Sequence, residues 1–194
     1  MKEWYQKHAE LLIKYQLKES DLIKICEAAS FTLRKGVKEF LYYTYKNSIP
    51  IIIVSAGISR IIESVLKNNN CLYDNIYIIS NIFKFQDNKL KSVRNKIIHS
   101  LNKNKVDLPK KVNDILKDKD EAIIIGDNIS DSYVTLKELK KTYKIGFLNY
   151  NNIKRENCFK KHFDIILKTN NSFLDIIDLI NTNLKNKRGY YESK

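Results

Sequence analysis

The amino-acid sequence predicts an α/β fold, with a parallel sheet that carries helices on both faces. Short runs of β-branched apolar residues recur after Pro50, and stretches with helical apolar spacing separate them. Three further helical patterns precede Pro50. Alternating strands and helices are typical of parallel α/β sheets, in which ligands bind at the carboxyl ends of the strands.

The helical patterns before Pro50 are amphipathic. In the first, aromatic and aliphatic residues fall on one helix face, and two more such faces occur in residues 22–29 and 37–45. The residues on the first face are Trp4, His8, Leu11, Leu12 and Tyr15. We therefore expect three helices before the sheet begins.

The apolar runs after Pro50 are too short and too rich in isoleucine for helices, so we expect strands buried on both faces. They cover residues 51–54, 76–79, 122–125, 145–148 and 165–167. Helical patterns lie between them at residues 61–66 and 112–116.

The last helix is expected to follow Ser172, with Asp175 three residues later completing a capping box. Its apolar spacing predicts that it buries Phe173, Ile176, Ile177, Ile180 and Leu184. The remaining residues, 185–194, are expected to form a flexible tail.

Length and composition indicate a globular protein. A chain of 194 residues with 43% hydrophobic content is large enough for one ordinary core. Lys and Arg number 35 against 22 Asp and Glu, and the net charge of +13 suggests anionic partners. Because the lysines are scattered among asparagines, they favour a solvated surface over a nucleic-acid site. We expect no nucleic-acid partner.

The cysteines and the hydropathy indicate a cytoplasmic location. Cys26, Cys71 and Cys158 are odd in number and far apart, which argues against a disulfide framework or a Cys-x-x-Cys site. The first residues mix charges with apolar side chains, unlike a signal peptide, and no apolar run reaches the roughly 20 residues of a membrane span. We expect a soluble, cytoplasmic protein without a membrane partner.

One predicted strand ends in residues suited to a phosphate group. Residues 51–54 run into Ser55, Ala56 and Gly57, and Ser59 is placed to cap the following helix. A hydroxyl, backbone amides left accessible by glycine and a helix N-terminus would together bind phosphate oxygens. The same residues also suit an ordinary strand-to-helix turn.

A second predicted strand ends in carboxylates. Asp127 follows residues 122–125 and Gly126, and Asp131 comes four residues later. If the two side chains converge, they suit Mg²⁺, which takes carboxylate, water and phosphate oxygens. The alternative is structural, with Asp127 as a turn residue and Asp131 as a helix cap.

Lys103 lies between these two turns and is a candidate for balancing phosphate charge, although most of the 35 basic residues must be solvated. The order of serine turn, lysine and paired aspartates resembles the second, third and fourth motifs of the haloacid dehalogenase superfamily. The stretches concerned are IPIIIVSAGIS, IIHSLNK and IIIGDNISD. The similarity is greatest to the cytosolic pyrimidine 5′-nucleotidases, also called type III cytosolic nucleotidases. Further matches are EWYQKHAELL, LRKGVKEF, ISNIFKFQDN and KIGFLN.

The resemblance implies a haloacid dehalogenase-like Rossmannoid sheet and Mg²⁺-dependent hydrolysis of nucleoside 5′-monophosphates such as UMP or CMP. It implies that Ser55 and the amide of Ala56 bind the phosphoryl group and that Lys103 balances its charge. Asp127 would ligate Mg²⁺, with Asp131 supporting the metal or its waters. Such roles agree with phosphoryl-transfer chemistry, which relies on positioning and charge compensation.

The resemblance also divides the chain. Residues 1–30 would be part of a helical cap, residues 31–184 the core, and a monomer would be expected for the full-length protein. His8 falls where the family has a substrate-contacting serine, but its place beside leucines favours a packing role. Trp4 could stack on a base, although its apolar stripe favours the core.

The family's first motif, Asp-x-Asp-x-Thr, has no counterpart upstream of Ser55. Its aspartates are the family's nucleophile and general acid, on a strand in the middle of the sheet. The sequence therefore predicts a chain without that central strand, a truncated form that is inactive alone. Two alternatives remain: a non-catalytic nucleotide- or phosphate-binding relative, and a basic nucleic-acid-binding protein.

Overall fold

The computed structural model describes residues 2–28, 31–94, 96–134, 139–149, 153–182 and 189–190. They form two compact units, each with its own sheet. The first unit contains Met1–Thr32 and Ser48–Val106, and the second contains Leu33–Asn47 and Asp107–Lys194.

Apart from the antiparallel pair β2 and β3, strands and helices alternate as the sequence predicts. The helices are α1 (Lys2–Lys14), α2 (Glu19–Ala28), α3 (Val37–Lys46), α4 (Ser59–Asn68), α5 (Lys110–Lys117), α6 (Ile153–His162) and α7 (Phe173–Asn181). The strands are β1 (Ile51–Ile58), β2 (Ile76–Gln86), β3 (Lys89–Arg94), β4 (Glu121–Gly126), β5 (Lys141–Phe147), β6 (Ile165–Leu167) and β7 (Gly189–Tyr190). Two 3-10 turns cover Lys103–Lys105 and Ile129–Tyr133.

In the first unit, β2 serves two partners. Its first half pairs in parallel with β1, and its second half pairs antiparallel with β3. α4 connects β1 to β2 and packs against both, while α1 packs against β3 and α2 against α4. Leu22, Leu66 and Leu90 are buried on α2, α4 and β3 and contribute apolar burial to this unit.

The second unit is a parallel sheet in the order β4, β5, β6, β7. β5 and β6 supply much of its core, because Ile145, Phe147 and all three residues of β6 are buried. A cluster of Leu148, Phe159, Phe163 and Ile166 packs α6 against this sheet. α3 packs against α7.

Gly36 permits the close approach of α3 and α7. Its φ of 83° lies in the left-handed region, and a Cβ there would be 2.7 Å from the backbone nitrogen of Leu174. The neighbouring carbonyl of Lys35 accepts a hydrogen bond from the backbone N–H of Phe173 at 2.9 Å. A side chain at position 36 would therefore separate the two helices.

The predicted elements are confirmed, including the capping box of Ser172 and Asp175 at the start of α7. α6, β3 and β7 were not predicted. β3, KLKSVR, holds only two apolar residues, so no apolar run marks it. α6 buries a single residue, Phe159, so it has no apolar period to recognise. On α7, Ile176 and Leu179 are buried, whereas Phe173, Ile177 and Ile180 are only half-buried. Leu184 and most of residues 185–194 lie outside the described residues.

Several burial predictions are wrong, since only Ile79 and Ile124 are buried among the predicted runs of β1, β2 and β4. β1 is half-buried rather than buried on both faces, because it pairs with β2 on one side and with no other strand in the described part of the chain. α1 has no buried residue, although it packs against β3.

Candidate functional site

The serine turn, Ser55–Ala56–Gly57, is a bulge at the end of β1. Val54 pairs with Ile79 and Ile58 with Asn81, so residues 55–57 lie opposite Ser80 alone. The backbone N–H of Gly57 donates to Ser55 Oγ at 3.0 Å, which turns the chain away from the ladder. A bulge turns backbone groups out of the sheet, and backbone N–H groups turned in this way can contact a phosphate group.

Ser59 does not cap α4, contrary to the sequence-based prediction. The helix begins at Ser59 itself, and the cap position falls on Ile58, which has no side-chain cap. The Ser59 hydroxyl lies 2.7 Å from Ser80 Oγ instead. α4 begins one residue before the start that a Ser59 cap would give, and the Ser59 side chain contacts β2.

Lys103 begins the 3-10 turn Lys103–Lys105, which packs against β1. The preceding loop is fixed by Asn102, whose Oδ1 accepts from the N–H of His99 at 2.7 Å and whose Nδ2 donates to Ile97 O at 2.9 Å. The first unit therefore brings the turn that carries Lys103 against the strand that carries Ser55.

The acid turn, Gly126–Asp131, is built around the buried carboxylate of Asp131. Its Oδ2 accepts from the backbone N–H groups of Asp127 at 3.2 Å and Asn128 at 3.1 Å. Asn128 caps the 3-10 turn and completes a capping box with Asp131. Asp131 thus stands third in the turn rather than at its cap, and it holds the backbone that carries the exposed Asp127.

Gly126 allows Asp131 to lie over the end of β4. A Cβ on Gly126 would be 2.3 Å from Asp131 Cβ and 2.6 Å from Asp131 Oδ2. Real Cβ atoms do not approach so closely, so glycine is required at this position.

Asp127 has neighbours that the sequence reasoning missed. Asn149 Nδ2 donates to Asp127 Oδ2 at 3.3 Å, and Arg155 donates to the backbone oxygen of Asp127 at 2.9 Å. Arg34 donates to Asn149 Oδ1 and lies 4.3 Å from the centre of the Phe147 ring. Asn149 follows the apolar run 145–148, so its place at a strand end was the signal that could have identified it.

The acid turn fits a magnesium ion that is bound mainly by water and phosphate oxygens. Mg²⁺ is held by one or two carboxylates and keeps several waters. Asp127 offers an exposed carboxylate, and Asp131 is committed to backbone amides. Within the described ranges, no three His, Cys, Asp or Glu side chains form a metal cluster.

On α1, Trp4 and His8 are both exposed, which contradicts the packing roles favoured from the sequence. Trp4 is 61% exposed, and its ring centroid lies 5.3 Å from that of His8. Tyr5 stands beside both Trp4 and the buried His99, at centroid distances of 4.9 and 5.9 Å. Tyr5 is half-buried, whereas the rings of Trp4 and His8 are open to solvent.

The candidate residues therefore fall into two sets, one in each unit. Ser55, Ala56, Gly57 and Lys103 belong to the first unit, together with Trp4 and His8. Asp127 and Asp131 belong to the second.

None of the helices in the described part of the chain is long and apolar enough to cross a membrane.

Comparison with known proteins gives consistent matches. The family described as pyrimidine 5′-nucleotidase (UMPH-1) matches residues 1–185. A 7-methylguanosine phosphate-specific 5′-nucleotidase of Mus musculus is 30% identical over 92% of this chain and 60% of its own length. The chain thus spans about three fifths of this relative.

Solved structures agree in fold. Cytosolic 5′-nucleotidase IIIB bound to cytidine matches with a TM-score of 0.82 and 27% identity, over 92% of this chain and 61% of the other. A HAD family hydrolase from Salmonella enterica serovar Typhi matches with a TM-score of 0.57 and 20% identity, over 85% of this chain and 51% of the other. The second likeness shows the haloacid dehalogenase-like α/β fold alone.

Proposed function

Because the chain belongs to the pyrimidine 5′-nucleotidase (UMPH-1) family, we propose that it provides the phosphate- and metal-binding parts of a Mg²⁺-dependent 5′-nucleotidase. The reaction is hydrolysis of a nucleoside 5′-monophosphate to nucleoside and phosphate. The observation that carries the proposal is the packing of the Lys103 turn against β1, whose end bulges at Ser55–Gly57. A hydroxyl, turned amides and a lysine are the groups that a phosphoryl dianion requires.

Some of the candidate residues would bind the phosphate, and others would bind the metal. Ser55 and the amide of Ala56 bind phosphoryl oxygens, Gly57 keeps the amides accessible, and Lys103 balances the developing charge. Asp127 would hold Mg²⁺, which supplies charge neutralisation when bound, and Asp131 would hold the turn that presents Asp127.

Residues 1–30 are proposed to act as part of a cap over the nucleoside, with residues 31–184 as the core. Exposure of Trp4 supports a role in stacking on the base, and His8 beside it would take the place of the family's serine. We expect a pyrimidine substrate such as UMP or CMP. The mouse relative's name makes 7-methylguanosine phosphate the competing candidate.

Turnover is proposed to need an Asp-x-Asp-x-Thr segment, which does not occur in the 194 residues. Loss of a covalent nucleophile costs on the order of 10⁴ to 10⁶ in rate in a well-studied hydrolase. We therefore expect the chain by itself to bind nucleotide with negligible hydrolysis. A cytoplasmic monomer without nucleic-acid or membrane partners is proposed for the full-length protein, in line with the name cytosolic of the solved relative.

The test is release of phosphate from UMP, CMP and 7-methylguanosine phosphate, by the chain and by a version extended upstream to include an Asp-x-Asp-x-Thr segment. We expect turnover from the extended version only, with loss of activity on removal of Mg²⁺ or in Asp127→Asn. The exposed Asp118→Asn serves as the matched control.

Turnover by the short chain would overturn the role assigned to the missing motif. Calorimetric binding of UMP with no turnover by either version would favour the non-catalytic binding module. Binding that weakens steeply with salt and is indifferent to Asp127→Asn would favour the nucleic-acid binder.

A further inference from the structure

Asn81 is buried at the point where β2 changes partners. It is 6% exposed. It pairs with Ile58 at the end of the parallel ladder, and the next residue, Ile82, already pairs with Arg94 in the antiparallel hairpin. A buried carboxamide must satisfy two N–H donors and an acceptor oxygen, so its partners matter.

Those partners are two distant backbone segments. Asn81 Nδ2 donates to Ala56 O at 2.8 Å and to Ile98 O at 2.9 Å. The backbone N–H of Ile98 donates to Asn81 Oδ1 at 2.8 Å. One side chain therefore binds the middle residue of the serine turn and both backbone groups of Ile98.

The bond to Ala56 stabilises the bulge. Residues 55–57 leave one-to-one pairing with β2, and the half-buried carbonyl of Ala56 there needs a partner. Asn81 supplies that partner from the neighbouring strand, which fixes the direction of the Ala56 peptide group. The amide of Ala56 is the group proposed above to bind phosphate.

The bonds to Ile98 extend this control to Lys103. Asn102 ties the loop of residues 97–99 to the turn that Lys103 begins, and the N–H of Lys105 donates to Asn102 O at 2.9 Å. A shift of Ile98 would pass through Asn102 to the lysine turn.

We infer that Asn81 is a positioning residue that holds the serine turn and the lysine turn in one fixed arrangement for a phosphoryl group. Its side chain bonds to backbone groups of Ala56 and Ile98, so it would act through those segments. The inference rests on the proposed function for its ligand, but the mechanical link between the two segments stands on the hydrogen bonds of Asn81 alone.

The test compares Asn81→Ala and the milder Asn81→Ser with a matched control, Asn75→Ala. Asn75 is also on the first unit, and its Nδ2 donates to Ile49 O at 2.7 Å, before the other end of β1. Hydrogen exchange is measured by mass spectrometry over residues 54–58 and 97–103, and affinity for inorganic phosphate by calorimetry.

We expect both segments to exchange faster in the Asn81 variants and to keep wild-type rates in Asn75→Ala. Phosphate affinity should fall about 10- to 100-fold in the Asn81 variants only, the range seen when outer partners of a binding site are removed. If either segment keeps wild-type exchange in Asn81→Ser, or phosphate affinity falls equally in all variants, the inference is overturned. If the wild-type chain binds no phosphate, the proposed function fails, and hydrogen exchange still decides whether Asn81 holds the two segments.

Discussion

At the scale of single residues, Gly126 decides whether the acid turn can form. In Gly126→Ala the new methyl group would overlap the buried Asp131 side chain, 2.3 Å away at its Cβ. We expect the free energy of unfolding to fall by about 1–3 kcal/mol, the usual cost of overpacking. Urea denaturation measures it. The control is Gly57→Ala, where a Cβ would be 3.2 Å from Ser55 Oγ and a smaller change is expected; equal stability of Gly126→Ala and wild type would contradict the prediction.

Asn149 is expected to orient Asp127 for a divalent cation. It donates to Asp127 Oδ2 and is itself held by Arg34. In Asn149→Ala we expect affinity for Mg²⁺, measured by calorimetry on the chain, to fall about tenfold, as for other supporting partners of metal ligands. The exposed Asn113→Ala, on α5 of the same unit, should leave that affinity unchanged. A comparable loss in both variants would argue against orientation by Asn149.

His99 should make stability depend on pH. Burial, reinforced by the positive charge of Lys2, lowers the pKa of His99 from its ordinary value of 6.5. Well above pH 6.5 the imidazole is neutral in both states and contributes no slope. As the pH falls toward 6.5 and below it, the unfolded chain takes up a proton that the folded chain resists, so the free energy of unfolding decreases until the folded-state pKa is passed.

Urea denaturation between pH 5 and 8 measures this effect. In His99→Asn an amide oxygen can replace Nδ1, which accepts from the N–H of Leu101 at 3.2 Å, without a titrating group. We expect the variant to lose less stability than wild type over the acid half of the range. Parallel pH profiles for the two proteins would show that another group is responsible.

At the scale of elements, α7 depends on its N-terminal cap. Ser172 Oγ accepts from the N–H of Leu174 at 3.1 Å and lies 3.2 Å from Asp175 Oδ2, in a buried setting. Ser172→Ala should lower the free energy of unfolding by about 1 kcal/mol. Thermal or urea unfolding measures the loss, and Ser92→Ala, exposed on β3, is the control expected to stay within about 0.5 kcal/mol of wild type. A neutral Ser172→Ala would mean that packing alone fixes the start of α7.

Local sequence patterns were sufficient to predict several of the helices and strands. Apolar runs predicted β1, β2, β4, β5 and β6, and the Ser172 box predicted α7, because these signals are local. α1 shows where they fail: its apolar stripe predicts burial, yet Trp4 and Tyr15 are 61% and 75% exposed. Periodicity says that a helix has an apolar face but not whether another element covers it.

At the scale of the whole molecule, each unit has a candidate residue near the end of a strand, Ser55 in the first and Asp127 in the second. Ser55, Asp127 and Lys103 were predicted from residue type and order. Asn81 and Asn149 also follow predicted strands, which marks them as candidates, but residue type alone does not say whether an asparagine bridges two segments or forms a turn. Their partners are 17 to 25 residues away for Asn81 and 22 for Asn149, and only the folded chain brings these together.

β1 and β4 each have an unpaired edge in the described residues, and we expect these edges to promote self-association in solution. In the described residues β1 pairs only with β2 and β4 only with β5. Such edges, lined with isoleucine in residues 51–53 and 123–125, are templates for pairing with another chain. The net charge of +13 opposes association at low salt, so self-association should grow as salt screens that repulsion.

Sedimentation velocity over a range of protein and salt concentrations measures this association. We expect the chain to form larger species with increasing concentration, and a version extended by an upstream strand to remain monomeric under the same conditions. Leu72→Lys, exposed between α4 and β2 and outside any strand, should leave the association of the chain unchanged. Ile52→Lys, on β1, should reduce it, because lysine on an edge strand disfavours pairing. If the chain stays monomeric at high salt, or if Leu72→Lys has the same effect as Ile52→Lys, the edges do not drive association.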